Sequence, residues 1–213
     1  SSAIIERYVD LGNALNATAL NAIGTRYLCL LNATELKKID PNSLKLASLN
    51  PSACSQVTKD ILYAKAKEAF SHQRNVTAYY ELIVPYLGGA PGADLKALSK
   101  KNVNMNISTF VNLRRNSLMS LTPSEVWGLL GVYLPQLKQR QNESPIREWI
   151  EMQKQSELDK LHIGLTGGLP EGYINLVTPK FPPSSSASLG TVAMALHLLP
   201  ALLLSFLMMS VLQ

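Results

Sequence analysis

The chain has 213 residues, 46% of them apolar, and a formal charge of +5. No charged side chain occurs from Leu189 to Leu212, so all of the charge falls on a body of roughly 180 residues, enough for one moderate domain with its own core. Its basic residues come as scattered pairs, Lys37-Lys38, Lys100-Lys101 and Arg114-Arg115, with no aromatic residues interleaved, which argues against a nucleic-acid partner.

The opening Ser1-Ser2-Ala3-Ile4 has neither an initiator methionine nor a charged-then-apolar leader. The expectation is either a leader already removed or the C-terminal piece of a longer protein, and Ile4-Ile5-Glu6-Arg7-Tyr8-Val9, which reads like a helix entered midway, favours the second. From there to Leu161, apolar residues recur at spacings of three and four, and alternating strand patterns are almost absent. Val57, Ile61, Leu62, Ala66, Ala69 and Phe70 predict one amphipathic helix. Tyr79, Leu82, Ile83 and Tyr86 predict the next, stopped by Gly88-Gly89. Pro91 and Asp94 open Leu95–Leu98, and Phe110–Leu113 follow. Thr122-Pro123-Ser124-Glu125 is a helix start with a capping box, and Ser144-Pro145 is expected to open Ile146–Met152 in the same way. Helices of about 8–15 residues are expected. Leu31–Leu36 with Ile39 resembles Leu121–Val126 with Leu129, and Asp94-Leu95 with Leu98 is a partial third copy, which suggests stacked repeats.

After Leu161, Gly164, Gly167, Gly168, Pro170 and Gly172 interrupt regular structure, and Tyr173–Val177 is expected as a short strand or extended clip. Residues 178–188 read as a disordered Pro/Ser-rich stalk, and 189–213 as an apolar tail. Ser184, Ser185 and Ser186 supply the small residues of a glycolipid (GPI) attachment site, and Val192–Leu212 the apolar segment behind it. The rival is a spanning helix, for which the length suffices, but no Lys or Arg follows to hold an inner end.

Five Asn-X-Ser/Thr sequons, at Asn16, Asn32, Asn75, Asn106 and Asn142, lie at predicted helix edges and fit a secreted glycoprotein. Asn32 also suits a helix cap, since its carbonyl can cap while its amide nitrogen carries sugar. Asn142 is the weakest acceptor, because its Ser144 precedes Pro145. In an oxidising compartment Cys29 and Cys54 would pair, closing a loop of about 26 residues worth roughly 3.5 kcal/mol; two buried thiols of a cytosolic protein are the alternative.

No catalytic pattern emerges. His72 and His162 stand apart with no metal-ligand spacing, and no G-x-S-x-G elbow is present. Leu87–Gly92 lacks the Gly-Lys-Ser/Thr ending of a phosphate loop and reads as helix punctuation. Glu148 and Glu151 read as a solvated helix face. Trp127 and Trp149 read as core anchors, either of which could serve instead as an exposed recognition residue. No cofactor, metal or small-molecule substrate is expected.

Several segments resemble the mesothelin family: Tyr86–Pro91 continuing through Asp94–Ser99 and Asn102-Val103, then Tyr27-Leu28-Cys29, Pro145–Ile150 and Gly164–Tyr173. The resemblance runs from about Ile4 to Leu176. It implies an all-α, superhelical stack of short armadillo-like helices over residues 1–177, a GPI anchor, and a role in cell adhesion. Within the family the adhesion partner is a large membrane mucin, bound mainly through the N-terminal part of the ectodomain, so no binding residue carries over. Cys29, Cys54 and the sequon at Asn106 fit the family's disulfide and glycosylation habits. The expectation is a non-enzymatic glycoprotein on the extracellular face of the membrane, anchored or shed, that recognises a cell-surface glycoprotein or mucin. The alternatives are a lipid-anchored enzyme with its catalytic part upstream, or a type I transmembrane spacer.

Overall fold

Short capped helices, each too weak to stand alone, need neighbours to bury their apolar stripes. The computed structural model describes residues 2–172 and is all-helical there, with twelve α-helices, four 3-10 helices and no strand among the described residues. The expected clip at 173–177, the stalk and the apolar tail lie outside them.

The first third holds α1 (Ser2–Asp10), α2 (Ala17–Leu28) and α3 (Ala33–Lys37), then 3-10 segments Pro41–Lys45 and Pro51–Ala53. Within α2 the backbone breaks at Gly24, whose φ of 73° suits glycine. The longest helix, α4 (Gln56–Ala69), follows a Ser55 cap and buries Leu62, Tyr63, Ala66 and Ala69. Its stripe is rotated from the expected one: Val57 is exposed, and Thr58 is buried in its place. Next come α5 (Val76–Ile83) and the 3-10 segment Val84–Gly89, which packs along α4. Gly89 does more than end a helix. A Cβ there would collide with the backbone carbonyl of Lys59, so only glycine lets the two segments meet.

The remainder comprises α6 (Gly92–Ser99), α7 (Ile107–Val111), α8 (Arg115–Met119), α9 (Pro123–Leu130), the 3-10 turn Gly131–Tyr133, α10 (Gln136–Gln139), α11 (Ile146–Glu151) and α12 (Gln155–Asp159). Several of these are shorter than expected, down to 4 residues in α10. Their neighbours supply what length does not: α6 packs on α8 and α9, and α8 on α11. The capping boxes Asn32/Glu35 and Thr122/Glu125 are both formed. Leu36 and Ile39, Leu95 and Leu98, and Val126 and Leu129, the equivalent positions of the three similar segments, are all buried.

At α11 the expected start is corrected. Pro145 occupies the cap position without a side-chain bond, which leaves Ser144 one residue too early to cap. The Ser144 hydroxyl donates instead to Glu148, at 2.8 Å. Beyond α12 the glycine-rich segment is tied down rather than loose. Leu169 exchanges backbone hydrogen bonds with Gln153 and Gln155, and Gln155 also donates to the Leu165 carbonyl.

Polar bonds between segments recur at similar separations in the chain. The Asn21 side chain bonds the backbone of Leu46 and Ser48, Ser117 donates to the Ala90 carbonyl, Asn104 accepts from Val132, and Trp149 donates to the Leu121 carbonyl. All of these span 25 to 28 residues. The described residues belong to one compact unit, Ser1–Tyr173, whose core includes Leu20, Leu62, Leu95, Phe110, Leu118 and Trp149.

Candidate glycan acceptors and recognition surface

Helix N-termini leave amides unpaired, and asparagine is among the best residues for capping them. Four of the five sequon asparagines hold that place. The side-chain oxygen of Asn16 accepts from the Ala19 amide at 3.0 Å, that of Asn32 from Glu35 at 3.0 Å, that of Asn75 from Ala78 at 2.9 Å, and that of Asn106 from Thr109 at 2.7 Å. All four are exposed, as are the hydroxyl residues two places on, Thr18, Thr34, Thr77 and Ser108. The oxygen is committed inward, and the amide nitrogen, which a glycan would occupy, makes no bond within the described residues. Asn142 differs. It caps nothing, and its Ser144 hydroxyl is engaged with Glu148.

Cys29 and Cys54 are joined in a disulfide, their Cα atoms 4.9 Å apart. Cys29 follows the last turn of α2, and Cys54 follows the 3-10 segment Pro51–Ala53, so the bond ties α2 to the entrance of α4. The candidate attachment residues Ser184, Ser185 and Ser186 lie outside the described residues. Among the described residues no helix is long and apolar enough to cross a membrane.

The two tryptophans part company. Trp149 is fully buried, with its indole N–H donating to the Leu121 carbonyl at 2.8 Å. Trp127 is 61% exposed because Val126 and Gly128 on either side of it face inward, Gly128 against Ser99 of α6. Val132 and Tyr133 are exposed just beyond it. Near Tyr133, the Tyr80 phenol is pushed up to about 12, chiefly by burial. Sequence pattern could not assign the outward role, since Trp127 sits at the same place in its helix as a core residue would.

Glu148 departs from the solvated face expected of it. Its carboxylate is held below the ordinary range first by the Ser144 hydroxyl and then by Arg115, with which it pairs. His72 and His162 are exposed, and no group of metal-ligating side chains occurs among the described residues.

A further constellation was invisible in the sequence, because its parts come from separate segments. Asp94, on α6, accepts from the Tyr63 hydroxyl at 2.9 Å and from Lys67 at 2.8 Å to each oxygen. Burial first, and then the bond to Asp94, raises the Tyr63 phenol, so it stays a donor at any physiological pH.

The mesothelin family model matches residues 1–208. The chain belongs to the mesothelin family. It is 39% identical to rat mesothelin over 82% of this chain and 28% of that protein, and 38% identical to mouse mesothelin over 94% and 33%. The human mesothelin-like protein is 31% identical over 81% of the chain and 27% of its own length. The chain thus spans between about a quarter and a third of the length of these curated relatives. Their names denote no enzyme.

Proposed function

We propose that this chain is the membrane-proximal part of a GPI-anchored cell-surface glycoprotein that acts in adhesion, between cells or between cell and matrix, by recognising a glycoprotein or mucin. The observation that carries this reading is the set of four exposed sequons, each with its capping oxygen turned inward and its amide nitrogen unengaged. Sugars there would leave the helix starts intact. The disulfide suits the same oxidising route, and the adhesive role is proposed from the resemblance to the mesothelin family. Trp127, Val132 and Tyr133 offer apolar surface of the kind that recognition surfaces use.

The body is read as an armadillo-like superhelical stack. Cross-links at 25 to 28 residues favour it, since a solenoid bonds each repeat mainly to the next. The anchor reading rests on the sequence around Ser184, Ser185 and Ser186 and the uncharged tail after it. No catalytic step forms part of the proposal.

The test treats intact cells with phosphatidylinositol-specific phospholipase and weighs the released protein. Release of a body lacking Val192–Gln213 is expected, and that body should bind cells. A surface protein whose mass still includes Val192–Gln213 would replace the anchor by a spanning helix. A correctly released body that binds no cell surface would remove the adhesive role.

A further inference from the structure

We propose that the cleft between α4, α5 and α6 is a docking site for an acidic peptide segment carrying an apolar side chain. The proposal specifies a partner for the recognition reading above and rests on it. The cleft has a volume of about 410 Å³, large enough for a side chain with part of its backbone. Its floor is apolar, made by Ile83, Leu87 and Leu98, all buried. An aromatic side chain of the partner would take that floor, and burying it supplies the non-specific part of the affinity.

The rim sets the sign of the partner's charge. Lys67, Arg74 and Lys101 stand around the opening against one carboxylate, Asp94, an excess of two positive charges. Asp94 already accepts three hydrogen bonds from Tyr63 and Lys67, so it offers an incoming group little acceptor capacity. Arg74 and Lys101 have no ion pair among the described residues. Gln73 spends its carbonyl on the Asn75 amide, which leaves its NH2 group free to donate. Tyr79 adds a phenol whose burial raises its pKa and keeps it a donor. Donors thus dominate over an apolar floor, and carboxylates flanking an aromatic residue complement both. Asn75 lies between the lining residues Arg74 and Val76, so a glycan on it would stand at the rim.

The experiment uses the full chain in detergent, carrying Thr77→Ala to remove that sequon while leaving the Asn75 cap. The probes are fluorescein-labelled Asp-Glu-Phe-Asp-Glu and its serine counterpart Asp-Glu-Ser-Asp-Glu, followed by fluorescence anisotropy at low and high salt. The phenylalanine peptide is expected to bind, more weakly as salt rises, and the serine peptide several-fold less. Arg74→Glu with Lys101→Glu should weaken binding about tenfold, the scale of a few lost or inverted exposed charge pairs. Lys37→Glu with Lys38→Glu changes net charge equally away from the cleft and should leave binding unchanged. No binding up to millimolar peptide, equal binding of the two peptides, or equal loss in the two charge variants would each overturn the proposal. Because neither cells nor the anchor enter this assay, its failure leaves the phospholipase and cell-binding results to judge the broader reading separately.

Discussion

Asn32 is both a sequon and half of a capping box, and the two roles can be separated by choosing which residue to change. Asn32→Ala removes the acceptor for the Glu35 amide and the sequon together. Thr34→Ala removes the sequon alone, because Thr34 is exposed and bonds nothing in the cap. Loss of an asparagine cap costs about 1 kcal/mol. For a body of this size that corresponds to a fall in Tm of about 2–4 °C. The Glu35 carboxylate would keep its bond to the residue 32 amide, at 2.9 Å in the native chain, so the loss should stay near this value. Both variants, secreted from glycosylating cells, should show the same mass decrease for one lost glycan. Only Asn32→Ala should show the fall in Tm, measured by circular dichroism or calorimetry. Equal falls in the two variants would mean that the sugar, not the cap, carries the stability. No fall in Asn32→Ala would sink the capping argument altogether.

Four further outcomes follow from the same geometry. Reducing Cys29–Cys54 should cost about 3–4 kcal/mol by releasing its loop, read as a lower urea midpoint in dithiothreitol; an unchanged midpoint would contradict the loop-entropy account. Trp149→Phe leaves the buried Leu121 carbonyl unpaired and should cost about 1–3 kcal/mol, whereas Trp127→Ala on the surface should change stability by less than about 0.5 kcal/mol; chemical denaturation compares them directly. Gly128→Ala places a Cβ against the Ser99 carbonyl and should destabilise by at least about 1–3 kcal/mol, although alanine favours helices, and a gain in Tm would refute the close approach of α6 and α9. Because the folded Glu148 carboxyl is depressed, its stabilisation is complete above the ordinary glutamate pKa and disappears as pH falls through the lower folded value; Ser144→Ala should shrink that acid-side dependence of Tm.

Much of the helical order was legible because its signals are local. Thr122 and Glu125 are three residues apart and cap the same turn, and the stripe through Leu62, Ala66 and Ala69 repeats at helical spacing. What escaped depends on contacts between distant segments. Val57 and Thr58 exchange faces because the neighbours of α4 choose which side is covered. Trp127 is turned outward by the demand that Gly128 touch α6, which no pattern inside α9 reveals. Ser144 misses its capping role by a single residue, a distinction finer than a motif can draw. The cleft around Asp94 joins residues 27 and 31 positions apart and has no linear signature.

The disulfide also bears on how the chain would respond to pulling. When the two ends of a chain are pulled apart, a covalent bridge takes the residues it encloses out of the line of force. The 25 steps between Cys29 and Cys54 would reach about 80–90 Å if drawn straight, yet the bond holds their ends 4.9 Å apart. Stretched to its limit, the oxidised chain should stop short of the reduced one by nearly that difference, with α3 and both early 3-10 segments sheltered from the load.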